Sequence, residues 1–244
     1  DTEHRGDTTM CARYTVFTEE EIIEMRSIIH EVSRKFGDGA VKTGEIRPTN
    51  KAPILVMDGN RLAPIPVSWG FPKWDGKGVV INARSESALE KKMFSRALLT
   101  RRCVIPSTGF FEWAYIATPD EQISLFPTES KPSVKDQKVK LHFRQPNEPM
   151  LYMVGMIDTF IDNGGNTIDA FVVLTTAANA SMERIHDRMP VILSANECEA
   201  WMNPDTFMHD VLGGKRSDRE REIAGGSKIR IPRHSRGYFL FGQS

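Results

Sequence analysis

Apolar residues recur at helical spacing through Ile22, Ile29, Val32 and Phe36, behind Thr18 and Glu21 in capping-box register and ahead of Gly37. That pattern predicts an amphipathic helix over 19–36. Before it, Met10-Cys11-Ala12-Arg13-Tyr14-Thr15-Val16-Phe17 has the β-branched and aromatic content of a strand. Segment 37–52 reads as a loop carrying Arg47-Pro48-Thr49. Residues 53–58 and 62–69 read as strands joined by Asp58-Gly59-Asn60, which is hairpin chemistry. Trp69-Gly70-Phe71-Pro72 and Trp74-Asp75-Gly76 place two indoles in a Gly/Pro-rich stretch expected at the surface. A short strand at 78–82, a helix at 86–99, and strands from Cys103 and from Gly109 follow. From 114 to 150 the pattern weakens, except for an alternating segment at 138–144 expected to be an exposed hairpin arm. Residues 150–157 and 168–176 are apolar strands around an Asp162-Asn163-Gly164-Gly165-Asn166 turn. Ala177 to Arg184 reads as a short helix, and Ser194 with Glu197 caps another through Trp201. The tail from 213 is polar and basic, with a late strand at 237–241. Many short strands with few helices and no repeat predict an α+β fold: a single domain with a largely antiparallel β-sheet or barrel core, flanked by a few helices. The expected divisions are an N-terminal extension at 1–10, the domain at 11–212 and a C-terminal tail at 213–244 that either packs on the domain or extends from it.

Composition narrows the function. The 32 Lys+Arg balance 32 Asp+Glu, so the formal net charge is zero and any phosphate site must be a local patch. An apolar share of 40% excludes a disordered polyelectrolyte. Three widely spaced cysteines write no disulfide framework and no CxxC metal site, which points to a reducing, cytoplasmic setting. No run of 18 apolar residues occurs, so no membrane partner is expected. No GxxxxGK[ST], HExxH or GxSxG is present, and no cofactor or metal is expected.

Four residues carry candidate chemistry, each beside a plainer reading. Cys11 is either an incidental buried thiol or, if Met10 and the residues before it are removed, a 1,2-aminothiol. Such an amine, with an ordinary pKa of about 7.7–8.0, forms an imine with an aldehyde, and the thiol then closes a five-membered thiazolidine. Glu112, between Phe111 and Trp113, is either a solvent-facing or paired carboxylate, or a carboxyl whose pKa is raised by desolvation for proton transfer. His186 is either a satisfied structural histidine or an acid–base group whose tautomer Asp187 fixes. Asn82 and Arg84 straddle Ala83 and so share one side of a strand; they either cap a loop or hold a phosphate and a carbonyl.

Taken together, Cys11-Ala12-Arg13-Tyr14, Arg47-Pro48-Thr49, Trp69-Gly70-Phe71, Asn82-Ala83-Arg84-Ser85-Glu86, Arg101-Arg102-Cys103, Gly109-Phe110-Phe111-Glu112-Trp113, Thr175-Thr176-Ala177-Ala178-Asn179 and His186-Asp187-Arg188-Met189-Pro190 resemble the ordered motifs of the SOS response-associated peptidase (SRAP) family. These blocks span most of residues 11–193. The resemblance implies a protein that shields abasic sites in single-stranded DNA through a covalent crosslink. It implies Cys11 as nucleophile, Asn82 orienting cysteine and sugar, Glu112 as general acid/base, and His186 assisting sugar ring opening and crosslink reversal. Arg13 and Arg84 match positions that contact DNA phosphates, and Pro48, Trp69, Trp113 and Thr175 match positions lining the DNA cleft. Ala12 departs from the usual Cys-Gly-Arg.

The implied partner is single-stranded DNA containing abasic sites, bound by a monomer without an obligatory protein partner. Ten residues precede Cys11 and hold its amine in a peptide bond, so the extension is expected to be a remnant of expression or a propeptide. Two other readings remain: a cysteine peptidase, acting on other chains or only on itself, with His186 as base to Cys11, and a non-catalytic single-stranded DNA-binding module in which Cys11 is incidental.

Overall fold

The computed structural model describes residues 12–20, 22–119, 134–145, 148–162, 164–203 and 239–243, with the backbone alone at 115–119, 134–137 and 239–243. Strand β1 (Arg13–Val16) leads to helix α1 (Ile23–Phe36), then to β2 (Gly44–Ile46), β3 (Lys51–Asp58), β4 (Arg61–Trp69), β5 (Phe71–Pro72), β6 (Val79–Val80) and β7 (Asn82–Arg84). Helix α2 (Lys92–Thr100) precedes β8 (Arg102–Ser107), β9 (Gly109–Pro119), β10 (Val134–Arg144), β11 (Leu151–Ile161) and β12 (Thr167–Ala177). After these come β13 (Arg188–Pro190), β14 (Ile192–Leu193), α3 (Cys198–Met202) and β15 (Phe239–Gln243).

Strands β12, β4, β3, β8 and β11 pair in that order, and β11 pairs back onto β12, closing a five-stranded barrel. Closure leaves the ring without exposed edges. The ring is antiparallel except at the β12–β4 seam, where Ala170 faces Ser68 and Phe171 faces Trp69 in parallel register. Strand β11 can approach β12 because position 155 is glycine; a Cβ there would lie 2.3 Å from the Val172 carbonyl oxygen. A second, fully antiparallel sheet runs β15-β10-β9-β1-β2. Helix α1 buries Met25, Ile28 and Val32 against β3 and β4, and α2 buries Phe94, Ala97 and Leu98 against β8 and β11. The architecture is α+β with a largely antiparallel core, as the pattern of short strands predicts.

Several local expectations change. Helix α1 begins at Ile23, not 19, and its N-cap position, Ile22, makes no side-chain cap hydrogen bond; Glu21 of the expected capping box lies outside the described residues. The 86–99 helix is broken: a 3-10 turn at Ala88–Glu90 and an extended Lys91 (φ −90°, ψ 122°) separate it from α2. The helix expected at 177–184 is not formed, because β12 continues through Ala177 and residues 180–185 make turns instead. There Asn179 acts locally, its side-chain oxygen accepting the Ser181 and Met182 amides at 3.1 Å, the competition with helix that asparagine favours. The second box is made: Ser194 and Glu197 bond reciprocally and start the turn leading to α3. The hairpin from Asp58 to Arg61 forms with Gly59 at φ 63°. Of the tail, residues 204–238 and 244 lie outside the described residues, and the late strand is β15, paired with β10.

Candidate functional site

Trp69 organises the region that the sequence singles out. Its indole is fully buried, which corrects the expectation that it lies in a surface loop. The ring stacks on Phe171 at 6.3 Å and meets Tyr14 of β1 edge-on at 5.1 Å. Its N–H donates to the Ile81 carbonyl at 3.0 Å, and the same carbonyl accepts the Val173 amide at 3.0 Å. A large aromatic with one polar edge suits this place: it closes the barrel seam, spans to the second sheet and fixes the chain just before Asn82. The exposed indole of this stretch is instead Trp74, 95% accessible in the loop between β5 and β6.

The first group of site residues lies on the second sheet. Strand β1 pairs antiparallel with β9, Arg13 facing Phe111 and Tyr14 facing Phe110. Glu112 therefore shares the sheet face of Tyr14 and Phe110, where it is 3% exposed. Trp113 points to the opposite face, with the Arg13 guanidinium 5.2 Å and Lys138 Nζ 5.9 Å from its ring centroid. The start of β9 is set by Gly109, where a Cβ would come within 2.3 Å of His142 Nε2. Pro48 is half-buried on a tight turn in which Thr49 takes φ 72°, a left-handed conformation costly for a β-branched residue. The turn is held because the Thr49 amide donates to the Trp69 carbonyl at 2.8 Å and the Trp69 amide to the Asn50 carbonyl at 3.0 Å.

The second group lies where β7 joins β12. Asn82, Ala83 and Arg84 face Val173, Leu174 and Thr175 in parallel register. Ala83 is buried, so Asn82 and Arg84 share the other side, as their spacing predicts, with Asn82 half-buried and Arg84 exposed. Among the described residues the Arg84 side chain has no hydrogen-bond or ion-pair partner. Thr175 is 2% exposed, its hydroxyl donating to the Ala83 carbonyl at 3.4 Å and accepting from Arg188 at 3.3 Å. Its hydroxyl thereby ties β12 to β7 and to Arg188 of β13. His186 lies two residues before β13. Its Nδ1 lies 2.8 Å from Asp187 Oδ1 and 3.1 Å from the Arg188 amide. A proton on Nδ1 serves the carboxylate, whereas a lone pair there serves the amide, so the tautomer decides which partner Nδ1 takes.

Sequence reasoning gave no role to Arg188, which binds Glu86 through both guanidinium arms at 2.9 and 2.8 Å and donates to the Thr175 carbonyl at 2.7 Å. The Arg188 hydrogen bond holds the Glu86 carboxyl below its ordinary range. It also missed Glu45, Lys138 and Lys140, although the alternation at 138–144 was the signal for two of them. Cys11 lies outside the described residues. The other two cysteines are buried, and burial pushes both thiols up, Cys198 to about 12; thiolates are the reactive form, so neither is a competent nucleophile. Among the described residues no cluster of His, Cys, Asp and Glu is placed to hold a metal, and no helix is long and apolar enough to cross a membrane.

The sequence profile of the SOS response associated peptidase (SRAP) family matches residues 10–219. The abasic site processing protein YoqW of Bacillus subtilis is 30% identical over 217 residues, covering 83% of this chain and 84% of that protein. The abasic site processing protein YedK of Escherichia coli is 24% identical over 198 residues, with 80% and 81% covered. HMCES of Xenopus tropicalis, also named an abasic site processing protein, is 30% identical over 184 residues, covering 64% of this chain and 52% of its own length. In fold, the chain is similar to a crystal structure from Bacteroides thetaiotaomicron, with a TM-score of 0.64 at 22% identity over 83% of this chain and 85% of that one.

Proposed function

Because the chain belongs to the SOS response associated peptidase (SRAP) family, we propose that it processes abasic sites by binding single-stranded DNA and joining Cys11 to the ring-opened sugar as a thiazolidine. The observation that carries this reading is the pairing of β1 with β9. Arg13 faces Phe111 in antiparallel register, so the start of β1 lies beside the part of β9 that continues to Glu112 and Trp113. A buried carboxyl and a cation-flanked indole lie in that direction. The names of the bacterial and vertebrate relatives agree with this substrate.

The chemistry needs residues 1–10 removed. The freed amine attacks the aldehyde carbon and water leaves, giving an imine. The thiol sulfur then bonds to that carbon while its proton passes to nitrogen, so the net loss is one water. Both steps need proton transfer near the reacting carbon, supplied by Glu112, with His186 serving sugar ring opening and reversal. Asn82 orients the sugar. Arg13 and Arg84 contact phosphates, the Pro48 turn shapes the cleft wall, and Trp113 and Trp74, in place of Trp69, offer sequence-tolerant stacking worth roughly 1–3 kcal/mol per base. That Cys103 and Cys198 are buried supports the reading of Cys11 as the nucleophile.

Intact mass spectrometry of the Cys11-first protein with an abasic oligonucleotide is expected to show their summed mass less one water. Cys11→Ser is expected to leave no adduct that survives denaturation, since an oxazolidine reopens readily. A persistent serine adduct would rule out the thiazolidine.

A further inference from the structure

One face of the second sheet gathers three cations around a single carboxylate, with a further lysine, Lys138, over the neighbouring Trp113 ring. Register places Arg13 opposite Phe111, Lys140 opposite Trp113 and Lys138 opposite Tyr115, so the three cations share the face of Trp113. Glu45, opposite Thr15 on β2, lies on the same face. Its Oε1 accepts from Arg13 Nη1 at 2.5 Å and from Arg47 Nε at 3.2 Å, and its Oε2 accepts from Lys140 Nζ at 2.6 Å. Lys140 also sits 3.8 Å from the Phe111 ring centroid, and Lys138 lies over Trp113. Three cations, Arg13, Arg47 and Lys140, thus converge on one carboxylate, on a chain whose formal net charge is zero.

Folding alone gives little reason for that arrangement. One carboxylate is satisfied by one arginine, exposed ion pairs contribute only about 0–1 kcal/mol, and each further cation repels those already there. Burial by itself would push the Glu45 carboxyl up, but hydrogen bonds from Lys140 and Arg13 outweigh it and hold the group at about 2. It therefore stays ionised at every working pH. The donors converging on it are the set that recognises a phosphodiester: a guanidinium, a second guanidinium N–H and an ammonium, beside aromatic rings that take bases.

We propose that Glu45 is a built-in surrogate for a backbone phosphate of single-stranded nucleic acid, and that Lys138 and Lys140 extend the phosphate lane from Arg13 onto β10. This rests on the reading of the chain as a single-stranded DNA-binding protein. Without DNA, Glu45 keeps Arg13, Arg47 and Lys140 converged. When a strand arrives its phosphate takes over those donors, and Glu45 becomes a neighbouring like charge that opposes binding. The residue thus weakens the grip on any intact backbone and leaves lasting retention to the covalent step at a damaged one.

The test uses the full chain and a fluorescent single-stranded oligonucleotide without an abasic site, with affinity followed by anisotropy across a salt titration. Glu45→Gln is expected to bind about tenfold tighter at low salt, the scale of one unfavourable charge beside a phosphate once screened. Lys138→Ala and Arg47→Ala, both on exposed side chains, are expected to weaken binding and each to flatten the slope of log K against log salt by about 0.7. Unchanged or weaker binding by a Glu45→Gln protein with native circular dichroism would overturn the proposal. If that variant does not fold, the two cation variants decide: unaltered slopes overturn it. The oligonucleotide carries no aldehyde, so the readout is independent of crosslinking. Tightened binding by Glu45→Gln, with no crosslink on abasic DNA even when the protein begins at Cys11, would overturn only the thiazolidine reading. Normal crosslinking with unaltered salt behaviour would overturn only this one.

Discussion

Glu112→Gln is expected to slow adduct formation on an abasic oligonucleotide by about a hundredfold to ten-thousandfold, the usual contribution of a positioned general acid/base. Glutamine has the same shape and keeps hydrogen-bonding capacity at a position only 3% exposed, but it cannot carry a proton. Imine formation expels water and thiazolidine closure moves the thiol proton to nitrogen; both suffer when that relay is lost. Affinity for an intact single strand is expected to stay near wild type, because Glu112 faces the Tyr14 side of the sheet, away from Trp113 and the cations around it. Time courses on denaturing gels, read beside anisotropy on undamaged DNA, separate the two effects. A variant with lowered stability and an unchanged rate of crosslinking would make Glu112 a structural carboxylate.

Trp69→Ala is expected to cost about 3–5 kcal/mol of folding stability, the range for large aromatics removed from a core. The loss has three parts on three elements: the stack on Phe171 of β12, the edge contact with Tyr14 of β1, and the N–H donated to the Ile81 carbonyl beside β7. The variant opens a cavity at the one parallel seam of the barrel. Trp69→Phe should recover most of the packing and lose only the hydrogen bond, about 1 kcal/mol. Chemical denaturation of both variants measures this. If Trp69 were a base-stacking platform, alanine would lower DNA affinity with little change in stability, and that result would refute its placement as the bolt between the two sheets.

Local features of the fold were legible in the sequence where local chemistry decides them. Asp58-Gly59-Asn60 announces its hairpin because Gly59 accepts φ 63° without strain, and Ser194 with Glu197 announces a cap because both partners lie within one turn. Elements set by distant contacts were not legible. Residues 177–184 read as a helix, but pairing of Ala177 with Arg188 carries β12 to Ala177, and Asn179 caps a turn in place of a helix. The two indoles at 69 and 74 were indistinguishable in a Gly/Pro-rich stretch. Only closure of the barrel against Phe171 decides that Trp69 is core and Trp74 is surface. The same holds for the site. Asn82 and Arg84 share a side through simple strand alternation, which spacing reveals. Glu45 meets Lys140 across 95 residues and Arg188 meets Glu86 across 102, pairings no local pattern encodes.

The central claim is that Cys11 reacts through its own amine and thiol. Its most direct test mixes protein beginning at Cys11, and separately protein retaining residues 1–10, with a single-stranded oligonucleotide carrying one abasic site, and resolves both on a denaturing gel. The account predicts a shifted band with the Cys11-first protein, and none with the extended protein so long as its intact mass shows the extension still attached. No band with the Cys11-first protein, or a band with protein whose extension is demonstrably intact, would contradict it.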